Sequence, residues 1–140
     1  MLSLLTLSTL LLSITSAFPT EPFPSALQIR QSSTENGLSA ACKAVTLIYA
    51  RGTNEDGNVG TVAGPPWFTR LRAALGTSLI NVQGVTYSAT VAGYLAGGDA
   101  AGSTEMLRLI NLASTQCPST KIVLGGYRYV SCLENLSEIY

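Results

Sequence analysis

The sequence predicts an α/β layer fold built on parallel strands. Three short apolar runs, at residues 44–49, 79–85 and 121–124, have the length and composition of buried strands. Segments with helical signals lie between them, at residues 65–75 and from residue 103 onward. Alternation of strands and helices favours parallel pairing, because two parallel strands need a long crossover connection that usually contains a helix.

The first strand and the segment after it carry the clearest local signals. Residues 44–49 (Ala-Val-Thr-Leu-Ile-Tyr) form an apolar run that is typical of a strand buried on both faces. A long loop rich in glycine and polar residues is predicted for residues 51–65. Pro65 then predicts the start of a helix and Gly76 its end, since proline favours the first turn and glycine the position after the last.

The later elements are predicted from weaker signals. The strand at 79–85 contains Gly84, which predicts an interruption, and residues 87–102 are predicted to be a flexible stretch. Residues 103–105 (Ser-Thr-Glu) are predicted to cap the second helix. The apolar face of that helix consists of Met106, Leu107, Ile110 and Ala113. The third strand at 121–124 continues into two glycines and Tyr127.

Composition excludes several classes of function. The 140 residues include eight basic and eight acidic ones, and this charged fraction of 11% is well below the ordinary value of about 25%. A net charge of zero argues against nucleic acid, anionic membrane surfaces or strongly charged substrates as partners. The sequence contains no histidine, so it holds no Ser-His-Asp or Cys-His machinery and no histidine metal site.

The N-terminal region is predicted to be processed and not to belong to the fold. Residues 1–17 are uncharged and leucine-rich and end in Thr-Ser-Ala, as in a secretory signal peptide. The run is too short and too interrupted by Ser and Thr for a transmembrane helix. Residues 18–39, rich in Pro, Ser, Thr and Gln, are predicted to be a propeptide or flexible arm. We therefore expect a secreted, extracellular protein with no stable membrane insertion after signal cleavage.

The cysteine count is odd for such a protein. Secretion exposes the chain to an oxidising compartment, where cysteines are expected to pair. The sequence has three, Cys42, Cys117 and Cys132, so one of them is left over.

A set of motifs in register resembles the fungal cutinase family. The first, at residues 49–60, reads Tyr-Ala-Arg-Gly-Thr-Asn-Glu-Asp-Gly-Asn-Val-Gly and covers the first strand's end and its loop. Further matches are Gly64-Pro65, residues 82–85 (Val-Gln-Gly-Val), Tyr87, Ala89, Cys117-Pro118, residues 120–123 (Thr-Lys-Ile-Val) and residues 125–127 (Gly-Gly-Tyr). The resemblance spans about residues 42–127. It implies an α/β-hydrolase-like doubly wound parallel sheet, of which residues 40–127 would form the N-terminal part.

The resemblance also implies a function. Cutinases are secreted serine esterases that cleave ester bonds in the polyester cutin and in soluble esters. Acetylxylan esterases share the same motifs and remain an alternative, as does a catalytically dead secreted binding protein. No metal or organic cofactor is implied, and the complete protein would be a monomer.

Two features of the family can be placed on single residues. The residue after Arg-Gly in the first loop donates hydrogen bonds to the oxyanion of the reacting ester, and that residue is Thr53 here. The alternative is a loop threonine that only satisfies its own turn. Cys42 and Cys117 occupy the positions of the family disulfide, which would stabilise the fold by roughly 4 kcal/mol in the chain-entropy model.

The resemblance ends at Tyr127. The family continues Gly-Tyr-Ser-Gln-Gly, a nucleophile elbow, whereas Arg128 stands at the position of the serine in this sequence. Tyr129 replaces the second oxyanion donor, and Val130 replaces a glycine that the tight turn needs. The catalytic Asp and His are missing as well, so a chain truncated just before the serine is expected to be inactive.

Two origins of residues 128–140 are considered. One is a true pseudoenzyme that binds a substrate without cleaving it. The other, which we favour, is a translated intron: Arg-Tyr-Val can be encoded AGG-TAY-GTN, which contains the splice-donor sequence GTAYGT. Splicing there would restore Gly-Tyr-Ser, and it would remove the unpaired Cys132 together with the rest of this non-family tail.

Overall fold

The computed structural model describes residues 32–127 and builds them around a three-stranded parallel sheet. The strands are β1 (Val45–Ala50), β2 (Ile80–Gly84) and β3 (Lys121–Gly126). They lie in the order β2-β1-β3, so β1 is central. The predicted signal peptide, the remainder of the predicted arm up to residue 31 and the tail from Arg128 to residue 140 lie outside the described residues.

The register of the sheet aligns the carboxyl ends of all three strands. Val45 pairs with Ile80 on one side and Lys121 on the other, and Tyr49 pairs with Gly84 and Gly125. The expectation that the first strand is buried on both faces is confirmed, because five of its six residues are buried.

Helices cover the sheet on opposite faces, as the doubly wound architecture requires. Helix α1 (Gly64–Leu75) lies on the face to which Leu47 and Tyr49 point. The opposite face carries Ile48 and Ala50 and packs against the longest helix, Ala100–Gln116. Successive side chains of a strand point to opposite faces, so the apolar run of β1 serves both layers.

The segment between β2 and the longest helix differs from the prediction. Residues 91–95, within the stretch predicted to be flexible, form a short helix, α2 (Val91–Leu95), capped by the side chain of Thr90, which accepts a hydrogen bond from the N–H of Gly93. The longest helix, α3 (Ala100–Gln116), begins earlier than predicted and is capped by Asp99, not by Ser103. The cap lies four residues upstream of the predicted one because Asp99 reaches the N–H of Gly102.

Glycines explain two differences at the strand ends. Strand β2 is not interrupted at Gly84 but ends there, and a Cβ on Gly84 would lie 2.2 Å from the side-chain oxygen of Asn58. Strand β3 continues through Gly125 and Gly126, two residues beyond the prediction. At Gly125 a Cβ would lie 2.8 Å from the ring of Trp67, so the missing side chain admits that ring against the sheet.

The last part of the predicted arm is attached to the sheet. Asn36 forms an antiparallel bridge with Gln83 of β2, and the N–H of Gly84 donates to the carbonyl of Glu35. Both carboxylate oxygens of Glu35 accept from the guanidinium of Arg72 in α1, at 2.9 and 3.0 Å. Residues 32–39 therefore cover the outer edge of β2, which a composition rich in polar residues did not indicate.

The disulfide expected from the resemblance is present. Cys42 and Cys117 are bonded, with their Cα atoms 5.5 Å apart and a sequence separation of 75. The bond joins the segment before β1 to the end of α3. None of the helices between residues 32 and 127 has both the length and the apolar character needed to cross a bilayer.

Candidate functional site

The candidate site lies at the carboxyl ends of β1 and β3. The chain runs from β1 through α1 to β2 on one side of β1, and then crosses through α3 to β3 on the other side. In open α/β sheets this reversal of direction opens a crevice that binds ligands. A depression of about 330 Å³ opens at this point. It is lined by Thr53, Glu55, Val62, Val91, Tyr94 and Tyr127.

Thr53 occupies a tight turn directly after β1. The N–H of Glu55 donates to the carbonyl of Gly52 at 3.2 Å, which closes a four-residue turn with Thr53 and Asn54 at its centre. Asn54 has a positive φ of 56° and donates its N–H to the carbonyl of Ala89 at 2.8 Å. Among residues 32–127 neither the N–H nor the hydroxyl of Thr53 has a hydrogen-bond partner. Both donors therefore stay available beside the depression.

Arg51 fastens this turn to the segment that leads into α2. Its guanidinium donates to the carbonyls of Glu55 and Tyr87, at 2.8 and 2.6 Å, and lies 5.0 Å from the centre of the Tyr87 ring. The hydroxyl of Tyr87 donates in return to the carbonyl of Arg51. Arg51 is only 9% exposed, and its Nη1 has no hydrogen-bond partner in the part of the chain that the structure describes. The guanidinium thus joins two loops that are 36 residues apart in sequence.

Glu55 lies on the other side of the turn. One carboxylate oxygen accepts from the N–H of Gly52 at 2.6 Å. The other accepts from the N–H groups of Thr61 and Val62, at 3.0 and 2.9 Å. This side chain therefore connects the residue before Thr53 to the segment before α1.

Tyr127 brings the end of β3 against the same turn. Its N–H donates to the carbonyl of Ala50 at 3.1 Å, which extends the pairing of β1 and β3 by one step. A Cβ on Gly52 would lie 2.5 Å from the Tyr127 ring, so the close approach of this ring requires glycine there. Arg128, at the expected position of the nucleophile, follows Tyr127 in sequence but lies outside the described residues.

An aromatic cluster packs where α1 meets the end of β1. The Tyr49 ring meets Phe68 edge-on with centroids 5.0 Å apart, and Trp67 lies 5.7 Å from Tyr49. Burial, with smaller electrostatic contributions from Glu55 and Tyr127, raises the pKa of Tyr49 to about 12. The Tyr49 hydroxyl therefore stays protonated at neutral pH and cannot serve as a general base there.

The rim of the depression is apolar. Val62 is 64% exposed, and Val91 and Tyr94, one turn apart in α2, are 49% and 51% exposed. Sequence reasoning assigned no role to these three residues or to Glu55. Thr90 was the available signal for α2, because a threonine before a short apolar segment is a helix cap. No group of three His, Cys, Asp or Glu side chains within residues 32–127 is arranged to hold a metal ion.

The sequence matches a protein-family model and several curated proteins. The family model described as Cutinase matches residues 41–131. A cutinase of Blumeria hordei is 51% identical over 110 residues, which is 76% of this chain and 47% of that protein. A cutinase of Botryotinia fuckeliana is 49% identical over 87 residues, 62% of this chain and 43% of that protein. The chain thus spans about half the length of the curated relatives it matches.

Comparison with solved structures also finds a cutinase. A solved structure of a Trichoderma reesei cutinase in complex with a phosphonate inhibitor covers 79% of this chain with a TM-score of 0.68 and 38% identity. The matched part is 49% of that protein. The predicted α/β-hydrolase-like fold class is therefore confirmed. Because both the sequence from residue 41 to 131 and the arrangement of its strands and helices are shared, this chain belongs to the cutinase family.

Proposed function

We propose that this chain is part of a secreted cutinase-type carboxylic ester hydrolase and that Thr53 supplies oxyanion-stabilising donors. The observation that carries the proposal is the turn at Thr53. This residue lines the depression at the sheet's switch point, and its N–H and hydroxyl lack partners among residues 32–127. Donors held in place before reaction stabilise developing negative charge most effectively, because they need no reorganisation.

The reaction proposed is acyl transfer through a serine. The serine oxygen attacks the ester carbonyl while histidine takes its proton, and the carbonyl oxygen becomes an oxyanion facing Thr53. The alcohol leaves with that proton, and water then releases the acid from the acyl-enzyme by the same steps. These 140 residues contain no histidine and have Arg128 at the position of the serine. A polypeptide limited to them is therefore expected to lack activity.

The substrate proposed is an ester with an apolar acyl part, such as cutin or a soluble short-chain ester. The exposed side chains of Val62, Val91 and Tyr94 offer apolar contact at the rim. The chain's net charge of zero is consistent with a neutral substrate. Secretion with cleavage after Ala17 completes the proposal, and it predicts a mature protein whose first residue follows that position.

Hydrolysis of p-nitrophenyl butyrate by the protein expressed from its complete transcript tests the function. We expect turnover that a serine-directed phosphonate abolishes and that a metal chelator leaves unchanged. Sequencing of the transcript across the Arg128 codon checks whether Tyr127 is joined to Ser-Gln-Gly. Substrate binding without turnover would contradict the proposed hydrolase and support a pseudoenzyme, and activity that needs a metal would contradict the serine mechanism.

A further inference from the structure

We infer that Glu55 is a positioning residue for the Thr53 turn, and this inference rests on the proposed function. Glu55 touches no reacting atom. Its carboxylate instead fixes the backbone on both sides of Thr53, so that the two donors of Thr53 are held still while charge develops on the substrate.

The hydrogen bonds of the carboxylate are the first argument. Its bond from the Gly52 N–H measures 2.6 Å, and the bonds from Thr61 and Val62 measure 3.0 and 2.9 Å. A carboxylate acceptor makes such bonds shorter and stronger than a neutral acceptor would. Three backbone donors from two separate segments therefore converge on one side chain, which closes the loop from residue 52 to residue 62 around it.

The backbone next to Glu55 is built to admit that carboxylate. Gly60 has a φ of 73°, and a Cβ added there would lie 2.4 Å from the Glu55 carboxylate. A side chain at residue 60 would be strained by this φ and would also push the carboxylate out. Glycine at residue 60 and three N–H groups thus form a cradle around the carboxylate.

The geometry of the turn connects this cradle to Thr53. The Gly52 N–H is bonded by the Glu55 side chain, while the Gly52 carbonyl accepts from the Glu55 N–H at 3.2 Å. Glu55 therefore holds both polar groups of the residue preceding Thr53. Thr53 is the first central residue of the turn, a position whose N–H is not used by the turn's own hydrogen bond. Loosening Gly52 would let that N–H change its direction without unfolding the sheet.

The alternative is a Glu55 that only stabilises the loop. That role would lower the stability of the protein but would not couple to Thr53 in catalysis. The two roles are separated by a double-mutant cycle on the complete secreted protein, with Glu55→Gln, Thr53→Ala and the double variant. Glutamine keeps the size of the side chain, but only its amide oxygen can accept, so it cannot serve both the N–H of Gly52 and the N–H groups of Thr61 and Val62.

We expect Glu55→Gln to lower kcat for p-nitrophenyl butyrate about tenfold or more, with KM changed less than about twofold, since an oxyanion donor alone contributes about 10²–10³ in kcat. In the Thr53→Ala background the same change should lower kcat clearly less. Amide hydrogen exchange should accelerate on the side that the amide nitrogen faces, either at Gly52 or at Thr61 and Val62. The matched control is Glu105→Gln, in an exposed ion pair with Arg108 on α3, which should leave kcat unchanged.

Several outcomes would overturn the inference. If the wild type is active and Glu55→Gln does not change kcat, Glu55 has a structural role alone. The same follows if the loss of kcat in the double variant equals the product of the two single losses. If Glu55→Gln does not fold, Glu55→Asp replaces it, since a shorter carboxylate cannot reach both segments, and the same cycle decides. A wild type without ester turnover contradicts the proposed function and this inference together, which distinguishes the two failures.

Discussion

Within the described part of the chain, the N–H and the hydroxyl of Thr53 lack partners because of the position of this residue in a turn. The N–H of the first central residue of a four-residue turn has no partner inside the turn, and the hydroxyl finds none among residues 32–127. Its neighbour Asn54 donates to the carbonyl of Ala89, so the turn is held from outside without using either donor of Thr53. A threonine that satisfied its own turn, the alternative suggested by the sequence, would have used its hydroxyl there.

The Thr53 hydroxyl can be tested separately from its N–H. Thr53→Ala removes the hydroxyl and keeps the backbone donor, so kcat of the complete protein should fall about 10²-fold while KM changes little. Thr53→Ser restores the hydroxyl and should recover most of the rate. Steady-state kinetics with p-nitrophenyl butyrate provide the measurement. Equal rates for the alanine variant and the wild type would remove the hydroxyl from the proposed oxyanion hole.

Sequence reasoning proposed Thr53 as a site residue but gave no role to the residues that hold its turn. Thr53 follows Arg51 and Gly52 in a motif that can be recognised by eye. The role of Glu55 depends on donors six and seven residues later, and that of Arg51 on a carbonyl 36 residues away. Such contacts are set by how the loops close over the sheet, which no local pattern encodes.

The strands were predicted well from the sequence, and the starts of the helices less well. The three apolar runs gave the strands to within two residues, because each is bounded by polar or glycine-rich sequence. The start of α3 was misplaced because Ser103 and Asp99 are both plausible caps, and only the folded chain places Gly98, with a φ of 148°, as the break before Asp99. Tertiary structure therefore chose between two locally acceptable helix starts.

Asp99 should make the stability of α3 depend on pH. Hydrogen bonds from the Ser88 hydroxyl, at 2.6 Å, and from the Gly102 N–H lower the pKa of Asp99 below its usual value. A lowered folded-state pKa gives stability that is present above the unfolded pKa and is lost as pH falls through the folded pKa. Asp99→Ala should cost about 1 kcal/mol at pH 7, the usual loss of a helix cap, and less at about pH 3 and below.

Urea unfolding of the complete protein at several pH values measures this effect. Ser88→Ala is the matched control, because it keeps the bond to Gly102 but removes the largest cause of the lowered pKa. In that variant the loss of stability on acidification should be smaller than in the wild type and complete at a higher pH, because the folded-state pKa of Asp99 lies closer to the unfolded-state value. If the free energy of unfolding differs between wild type and Asp99→Ala by the same amount at pH 7 and at pH 3, the charge of Asp99 does not stabilise the cap.

The two edges of the sheet differ in how they are covered. The outer edge of β2 is covered by residues 32–39 through the bridge between Asn36 and Gln83. Strand β3 forms the other edge within residues 32–127, and its Val123 is 43% exposed on the face that α1 covers elsewhere. An exposed apolar edge strand is a template for pairing with another chain.

A polypeptide limited to these 140 residues should therefore self-associate. The Cys42–Cys117 bond adds roughly 4 kcal/mol in the chain-entropy model, but it constrains the unfolded chain and does not cover β3. Light scattering coupled to size exclusion should show a mass that rises with concentration. Val123→Lys should reduce the association because a charge on an edge strand opposes pairing. Leu79→Lys, at an equally exposed apolar residue just before β2, should have little effect.

The unpaired cysteine must be separated from the strand edge in that experiment. Cys132 is the third cysteine of a chain whose other two are bonded, so intermolecular disulfides would also produce oligomers. With Cys132→Ser in every variant, association through β3 should persist and should still respond to Val123→Lys. A soluble monomer with dispersed amide resonances and one cooperative unfolding transition would contradict this prediction. Pairing of β3 with another chain would then not be needed for folding.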